Sequence, residues 1–178
     1  GVVTTGRFRS DKIKKRKIPF LRRSVGMIFQ DYHLLRDRNL YENIALPLYV
    51  VGARHGEIAD RVENMIDQVG LVGKENHAPD ELSGGEQQRA CIARALVKDP
   101  EIILADEPTG NLDPITSFEL LKLLEAVNHE GTAVLMGSHN YNLIKVRWHR
   151  IIEIQQGLLP KNVCLTVPYF FSPKVFAI

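Results

Sequence analysis

Residues 82–89, LSGGEQQR, have the composition of an anion-binding helix start. Ser83 and Glu86 have the spacing of a capping box, so a helix is predicted to begin at Ser83. Gly84 and Gly85 would let backbone N–H groups approach an anion closely, and the positive end of the helix dipole would add to that attraction. An ordinary capped helix is the alternative, but it needs neither two glycines nor the Glu-Gln-Gln-Arg that follows them. We therefore expect Ser83, Gly84 and Gly85 to contact phosphate, with Glu86 as the capping-box partner of Ser83.

Two adjacent acids, Asp106 and Glu107, follow a short apolar run at residues 102–105. Neighbouring side chains at the end of a strand point in different directions, so the two carboxylates can perform different tasks. We expect Asp106 to hold Mg²⁺ through its hydration shell and Glu107 to polarise an attacking water. Acids also occur where a strand simply turns into solvent, but the continuation Pro-Thr-Gly-Asn-Leu-Asp to Asp113 favours a site.

Two further polar residues each follow an apolar run. Gln30 comes after residues 25–29, and His139 comes shortly after residues 132–136. A lone histidine is more often structural than catalytic, and a glutamine at a strand end is weak evidence by itself. Because ligands bind beyond the carboxyl ends of strands in open α/β sheets, we expect His139 to contact the terminal phosphate and Gln30 to contact Mg²⁺ or water.

The elements that must position these residues alternate between strands and helices. Short apolar runs predict strands, and apolar residues at helical spacing predict amphipathic helices. The alternation predicts a mostly parallel sheet covered on both faces, interrupted by an inserted helical subdomain. The predicted strands are 25–29, 102–105, 132–136 and 150–154; the helices are 56–69, 83–97 and one capped by Asp113 with Pro114 in its first turn. The predicted divisions are an α/β core at 1–30 and 98–157, the helical subdomain at 31–97 and an unassigned tail at 158–178.

Composition is that of an ordinary globular domain. The 178 residues are 44% hydrophobic and 25% charged, and the net charge of +2 predicts no nucleic-acid partner. Residues 7–23 nevertheless hold nine Lys or Arg and one acid. A solvated surface is the simpler interpretation, and contact with anionic lipid headgroups or nucleic acid is the alternative. Cys91 and Cys164 have neither a disulfide framework nor metal-ligand spacing, and no apolar run is long enough to span a bilayer.

Taken together, these motifs resemble those of the ATP-binding subunits of ABC systems. The resemblance covers about residues 1–157, and the order of the motifs is highly specific. Phe29-Gln30 is similar to the Q-loop, residues 82–87 to the signature motif, 103–107 to Walker B, 111–113 to the D-loop and His139 to the switch histidine. The resemblance implies a P-loop NTPase-like fold, an ATPase activity, and ATP and Mg²⁺ as cofactors. It implies Glu107 and His139 as catalytic residues, Asp106 and Gln30 at the metal, and Gln30, Asp113 and residues 83–86 at ATP.

The resemblance also implies partners. Each ATP would lie between two subunits of a head-to-tail homodimer, held by the signature helix of one and by His139 of the other. Residues 19–23, 31–35 and 37–48 are most similar to the cell-division branch of the family, which implies an FtsX-like integral membrane subunit and a peripheral place on the cytoplasmic side of the inner membrane.

Four alternatives stay open. They are the ATPase of a lipoprotein-release exporter, that of a macrolide-type exporter, a truncated interaction module without turnover, and an ATPase acting on nucleic acid or the ribosome. Ser83 follows Gln30 by only 53 residues, which disfavours the long coiled-coil insertion of DNA-repair relatives. A single set of motifs disfavours the ribosome-acting relatives, which usually carry two cassettes in one chain.

The sequence departs from the family pattern at its phosphate-binding loop. Residues 1–178 contain no G-x-x-x-x-G-K-[ST], the Walker A sequence of this family. Residues 1–8 mimic its glycine spacing, but Arg7 and Phe8 replace the lysine and the Ser/Thr. We therefore expect a chain that begins after its Walker A loop, lacks the P-loop strand, binds Mg-ATP weakly and hydrolyses none alone. Asn140 stands where an aspartate often follows the histidine.

Overall fold

The computed structural model describes residues 4–5 and 8–140. Several predictions lie outside the described residues: the strand at 150–154, the tail at 158–178, Cys164, and the glycines at 1 and 6. None of the helices in the described part of the chain is long and apolar enough to cross a membrane.

A parallel sheet of three strands carries the predicted site residues. A short antiparallel pair, β1 (Thr4–Thr5) and β2 (Phe8–Arg9), comes first in the chain. The larger sheet contains β3 (Val25–Ile28), β4 (Ile102–Asp106) and β5 (Ala133–Gly137), in the order β3–β4–β5. Both pairings in this sheet are parallel, which confirms the sheet type predicted from the alternation of elements.

The register of the sheet aligns the carboxyl ends of its strands. Ile28 pairs with Ala105, and Asp106 pairs with Gly137. The loops that follow begin within two residues of these pairs. The polar residues predicted beyond the three strands therefore lie at one edge of the sheet.

The described residues contain five α-helices, and three of them occur where the sequence predicts helices. They are α1 (Ile18–Ser24), α2 (Leu40–Val51), α3 (His55–Gln68), α4 (Gly84–Leu96) and α5 (Pro114–His129). The predicted helices correspond to α3, α4 and α5. Short 3₁₀ turns at Lys15–Lys17 and Pro79–Glu81 precede α1 and α4.

Helix α2 begins and ends at clear local signals. The Asn39 side chain accepts a hydrogen bond from the Glu42 backbone N–H at 2.8 Å, and the Glu42 carboxylate accepts one from the Asn39 N–H at 3.1 Å. Gly52 ends the helix with a φ of +80°, a left-handed conformation that glycine adopts without steric cost. Pro47 lies inside the helix, although proline cannot donate a backbone hydrogen bond.

Helix α4 lies between two buried clusters. Cys91, Ile92 and Ala95 pack with strands β3 to β5 and helix α5. Ala90 and Ala93 pack with α2 and α3. Cys91 is fully buried as a free thiol, so it packs as a small hydrophobic residue, as the sequence predicts. The domain boundary predicted between residues 97 and 98 stays a prediction. It lies just after α4, whose residues pack in both clusters.

The basic segment before β3 lies at the surface. Arg9 pairs with Asp11 at 3.1 Å, and both side chains are exposed. Lys17 and Arg23 lie over the ring of Phe20. The distance to the ring centroid is 5.3 Å from Lys17 Nζ and 5.4 Å from Arg23 Cζ. The exposed position agrees with a solvated surface, and contact with lipid headgroups or nucleic acid stays an untested alternative.

Candidate functional site

The chain turns sharply at Glu107, directly after β4. Glu107 has a φ of +44°, which is uncommon for a residue with a side chain and is often found at functional sites. Its backbone N–H donates to the Gly137 carbonyl at 2.9 Å, which anchors the turn to the next strand. Asp106 is exposed at the end of β4 and Glu107 is partly buried. The two acids are thus in different surroundings, and the different tasks predicted for them stay predictions.

Glu107 and His139 are in direct contact. Glu107 Oε1 lies 2.8 Å from His139 Nδ1, and the Glu107 side chain is 21% exposed whereas that of His139 is 82% exposed. A histidine that donates from Nδ1 can accept at Nε2 when neutral and donate there when protonated. The arrangement therefore orients the carboxylate and leaves the exposed ring free to contact a ligand through Nε2. The contact with phosphate predicted for His139 stays a prediction.

Gln30 lies against the turn that follows Glu107. The Asn111 side-chain amide donates a hydrogen bond to the backbone carbonyl of Gln30 at 3.2 Å. A Cβ built on Gly110 would lie 3.1 Å from Gln30 Nε2, so the absence of a side chain at Gly110 lets the Gln30 amide approach. The Gly110 N–H in turn donates to the Glu107 carbonyl at 3.0 Å. The structure thus brings Gln30 beside the loop of Glu107.

The oxygen ligands available for a metal fit Mg²⁺. Carboxylate and amide oxygens, which Asp106 and Gln30 offer, are ligands that Mg²⁺ accepts. Within residues 8–140, no three His, Cys, Asp or Glu side chains are grouped to hold a metal ion. Mg²⁺ in proteins usually keeps water and phosphate oxygens as its other ligands, and the Mg²⁺ contacts predicted for Asp106 and Gln30 stay predictions.

The tip of α4 has the predicted capping box. The Ser83 backbone N–H and hydroxyl donate to Glu86 Oε2 at 2.8 and 2.9 Å, and the Glu86 N–H donates to Ser83 Oγ at 3.4 Å. Lys74 Nζ lies 3.4 Å from Glu86 Oε1. The bonds from the Ser83 backbone and hydroxyl lower the pKa of Glu86. Glu86 therefore serves as a helix cap, and its predicted contact with ATP stays a prediction.

The two glycines at this tip are closely surrounded. A Cβ on Gly85 would lie 2.8 Å from Thr116 Cγ2 in the first turn of α5, and one on Gly84 would lie 3.2 Å from the Tyr32 hydroxyl. Ser83 is exposed, and both glycines are half-buried. Gly85 is therefore required by the packing of α4 on α5, in addition to the anion contact that the sequence predicts.

Asp113 caps α5, as predicted. Its Oδ1 accepts hydrogen bonds from the backbone N–H groups of Ile115 at 2.9 Å and Thr116 at 3.1 Å, and the Thr116 hydroxyl donates to Oδ2. The hydroxyl bond and the backbone bonds lower the pKa of Asp113. The ATP contact proposed for Asp113 stays a prediction.

Two side chains of α4 make contacts that the sequence does not predict. Gln88 Nε2 donates to the Pro108 carbonyl at 2.8 Å. Arg94 donates to the Tyr32 and His33 carbonyls at 2.8 and 2.6 Å. Tyr32 and His33 both have positive φ, so Arg94 stabilises an unusual turn just after Gln30. A buried glutamine and an arginine within one helix give no sequence signal for these distant partners.

Comparison with known proteins identifies relatives. A model of the ABC transporter family matches residues 3–110. The chain is 49% identical over 162 residues to the cell division ATP-binding protein FtsE of Streptococcus pneumoniae serotype 2, covering 91% of this chain and 70% of that protein. It is 51% identical over 152 residues to FtsE of Escherichia coli K12, covering 85% of this chain and 68% of that protein.

Solved structures give the same result. An ATP-binding cassette, determined as a dimer in a post-hydrolysis state with ADP and phosphate, has a TM-score of 0.80 and 31% identity. A second dimeric structure of the same cassette, described as a bacterial ABC transporter cassette, has a TM-score of 0.81 and 31% identity. Each comparison covers 94% of this chain and 74% of the other.

Proposed function

The chain belongs to the ABC transporter family of ATP-binding subunits, and from this premise we propose that it is the ATP-hydrolysing subunit of an FtsEX-like complex in cell division. The contact between Glu107 and His139 at 2.8 Å is the observation that supports this proposal most directly. It joins a candidate base to a candidate phosphate ligand at the sheet edge where Asp106 and Gln30 also lie.

The proposed mechanism assigns each of these residues a task. Glu107 accepts the proton of the attacking water, and His139 orients Glu107 through Nδ1 while Nε2 contacts the terminal phosphate. Asp106 would hold Mg²⁺ through the hydration shell of the ion, and Gln30 would contact Mg²⁺ or its water. Bound Mg²⁺ supplies charge neutralisation of the phosphates.

The second wall of the site is proposed to come from another copy of this chain. Ser83, Gly84 and Gly85 are at the exposed or half-buried tip of α4, where backbone N–H groups and the helix dipole favour phosphate. Head-to-tail pairing would place this tip against the nucleotide of the partner subunit. The two solved structures described above, both of one related cassette, are dimeric, which supports this arrangement.

The polypeptide of residues 1–178 is proposed to be inactive by itself. It contains no G-x-x-x-x-G-K-[ST] loop, and in P-loop ATPases this loop and its lysine hold the β- and γ-phosphates. We expect weak binding of Mg-ATP and no hydrolysis. Isothermal titration that gives micromolar affinity for this polypeptide would contradict the proposal.

The partner is proposed to be an FtsX-like integral membrane subunit, with this chain bound at the cytoplasmic side of the inner membrane. Closure of the dimer on ATP and its opening after hydrolysis would then act on that subunit. Similarity to the cell division ATP-binding proteins FtsE supports this choice over an exporter. Co-purification tests this choice. The full-length protein, meaning residues 1–178 joined to a Walker A loop, is tested for binding to the FtsX-like subunit of its own organism, with the subunit of a lipoprotein exporter as the comparison.

The central experiment removes the proposed base in the full-length protein. Glu107→Gln keeps the shape of the side chain but cannot accept a proton, so hydrolysis is expected to stop while ATP still closes the dimer. Phosphate release measures the first effect and gel filtration with ATP measures the second. Hydrolysis at the wild-type rate would contradict the assignment of Glu107, and a monomer with ATP would contradict the dimer.

A further inference from the structure

Gln88 is a fully buried residue of α4, just over one helical turn beyond the exposed Ser83. Its Nε2 donates to the carbonyl of Pro108 at 2.8 Å, and Pro108 is itself buried directly after Glu107. Among the described residues, nothing donates to Gln88 Oε1. A buried amide therefore makes one side-chain bond, and that bond reaches the residue next to the candidate base.

The carbonyl of Pro108 is one of the groups through which this turn is held, besides the bond from the Gly110 N–H to the Glu107 carbonyl. Proline has no backbone N–H, so its carbonyl is its only backbone hydrogen-bonding group. The N–H of Glu107 is bound to the Gly137 carbonyl on the other side. Hydrogen bonds at the Glu107 N–H and at the Pro108 carbonyl thus hold the backbone on both sides of Glu107. A residue with a left-handed φ of +44° needs such support to keep its conformation.

We propose that Gln88 is a positioning residue that holds Glu107 of its own subunit in the orientation needed for water activation. The inference rests on the role proposed above for Glu107. Gln88 is part of the helix whose tip is proposed to contact the partner's nucleotide, yet by this geometry it acts on the nucleotide site of its own chain. This distinction makes the inference testable in dimers of two different subunits.

The first test compares Gln88→Met with the wild type in the full-length protein. Methionine has a similar length and shape but no donor, and it also removes the buried oxygen that lacks a partner, so the fold is expected to persist. Asn128→Leu is the matched control, because Asn128 is a buried amide that donates to the Thr132 carbonyl at 2.9 Å beyond the end of α5.

The expected result is a selective loss of turnover. Gln88→Met is expected to lower kcat about tenfold and to leave the KM for ATP within about twofold, because the change acts on the reacting groups and not on binding. Asn128→Leu is expected to leave kcat within about twofold. Full kcat in Gln88→Met, or an equal loss in Asn128→Leu, would overturn the inference.

The second test decides through which site Gln88 acts. A mixed dimer with one Glu107→Gln subunit has a single reactive site, because only the other subunit keeps its base. The rate of phosphate formation in a single turnover, started by adding Mg²⁺, therefore reports on that site alone. Gln88→Met in the subunit that keeps Glu107 is expected to slow the reaction, whereas Gln88→Met in the Glu107→Gln subunit is expected to have no effect. The opposite pattern would mean that Gln88 acts through the tip of α4, and would overturn the inference.

Failure of this inference can be distinguished from failure of the proposed function. If the full-length wild-type protein hydrolyses no ATP, or if its Glu107→Gln variant hydrolyses ATP at the wild-type rate, the proposed function is wrong and the inference falls with it. If Glu107→Gln is inactive while Gln88→Met turns over at the wild-type rate, the inference alone is wrong.

Discussion

Replacing Gly85 by alanine is expected to separate the tip of α4 from the first turn of α5. The added Cβ would lie 2.8 Å from Thr116 Cγ2, whereas carbon atoms are in favourable contact at about 3.5–4.0 Å. Overpacking of this kind typically costs about 1–3 kcal/mol. Alanine regains at most about 1 kcal/mol of helix propensity over glycine. When the full gain in helix propensity is subtracted, the net loss in the free energy of unfolding is expected to be about 0–2 kcal/mol.

The assay is urea unfolding of the full-length protein without nucleotide, so that effects on ATP binding do not enter. Thr116→Ser removes Cγ2 and keeps the hydroxyl that binds Asp113. In a double-mutant cycle, Thr116→Ser is expected to recover most of the loss caused by Gly85→Ala, with a coupling energy of about 1 kcal/mol or more. Gly56→Ala is the control, because a Cβ at Gly56 meets nothing within 4 Å, and it is expected to stabilise α3 slightly. Additive effects of Gly85→Ala and Thr116→Ser would refute the proposed clash.

Three other changes test the local structure and the site. Asn43 is fully buried and makes four hydrogen bonds to the backbone of residues 35–39, so Asn43→Leu is expected to cost about 3–5 kcal/mol in urea unfolding. A loss below about 1 kcal/mol would contradict the importance of these bonds. The bonds from Ser83 lower the pKa of Glu86 below its ordinary 4.5, so this carboxylate contributes stability that is present above about pH 4.5 and lost as the pH falls through the lowered pKa. Glu86→Gln is expected to flatten that acid dependence in thermal unfolding scans, and an unchanged profile would count against the capping bonds. His139→Ala is expected to lower kcat for ATP by at least about a hundredfold in the full-length protein, and phosphate release within a few-fold of the wild type would remove His139 from the site.

Local sequence signals predicted the parts of the fold that depend on nearby residues. The capping box at Ser83 and Glu86 correctly predicted the start of α4, and the apolar run at residues 102–105 correctly predicted β4. In both places the spacing of residue types is sufficient, because the hydrogen bonds or the burial pattern form within a few residues.

Contacts between distant segments were not predictable in the same way. The bond from Gln88 to Pro108 and the contact of Arg94 with Tyr32 depend on how α4 lies on the sheet. Helix α2 is absent from the predicted helices although the Asn39 capping box is a local signal for its start, and it contains Pro47, which is unfavourable inside a helix. Sequence patterns indicated which residues could react, but the partners that orient them required the structure.

The position of α4 in both buried clusters has a consequence for unfolding. Ala90 and Ala93 lie in one cluster and Cys91 and Ile92 in the other, so loosening either cluster removes the support of the same helix. The sheet and the helical region are therefore expected to melt in one cooperative transition. Backbone amides of α4 would be among the slowest to exchange with solvent deuterium, since they open only when both regions open together.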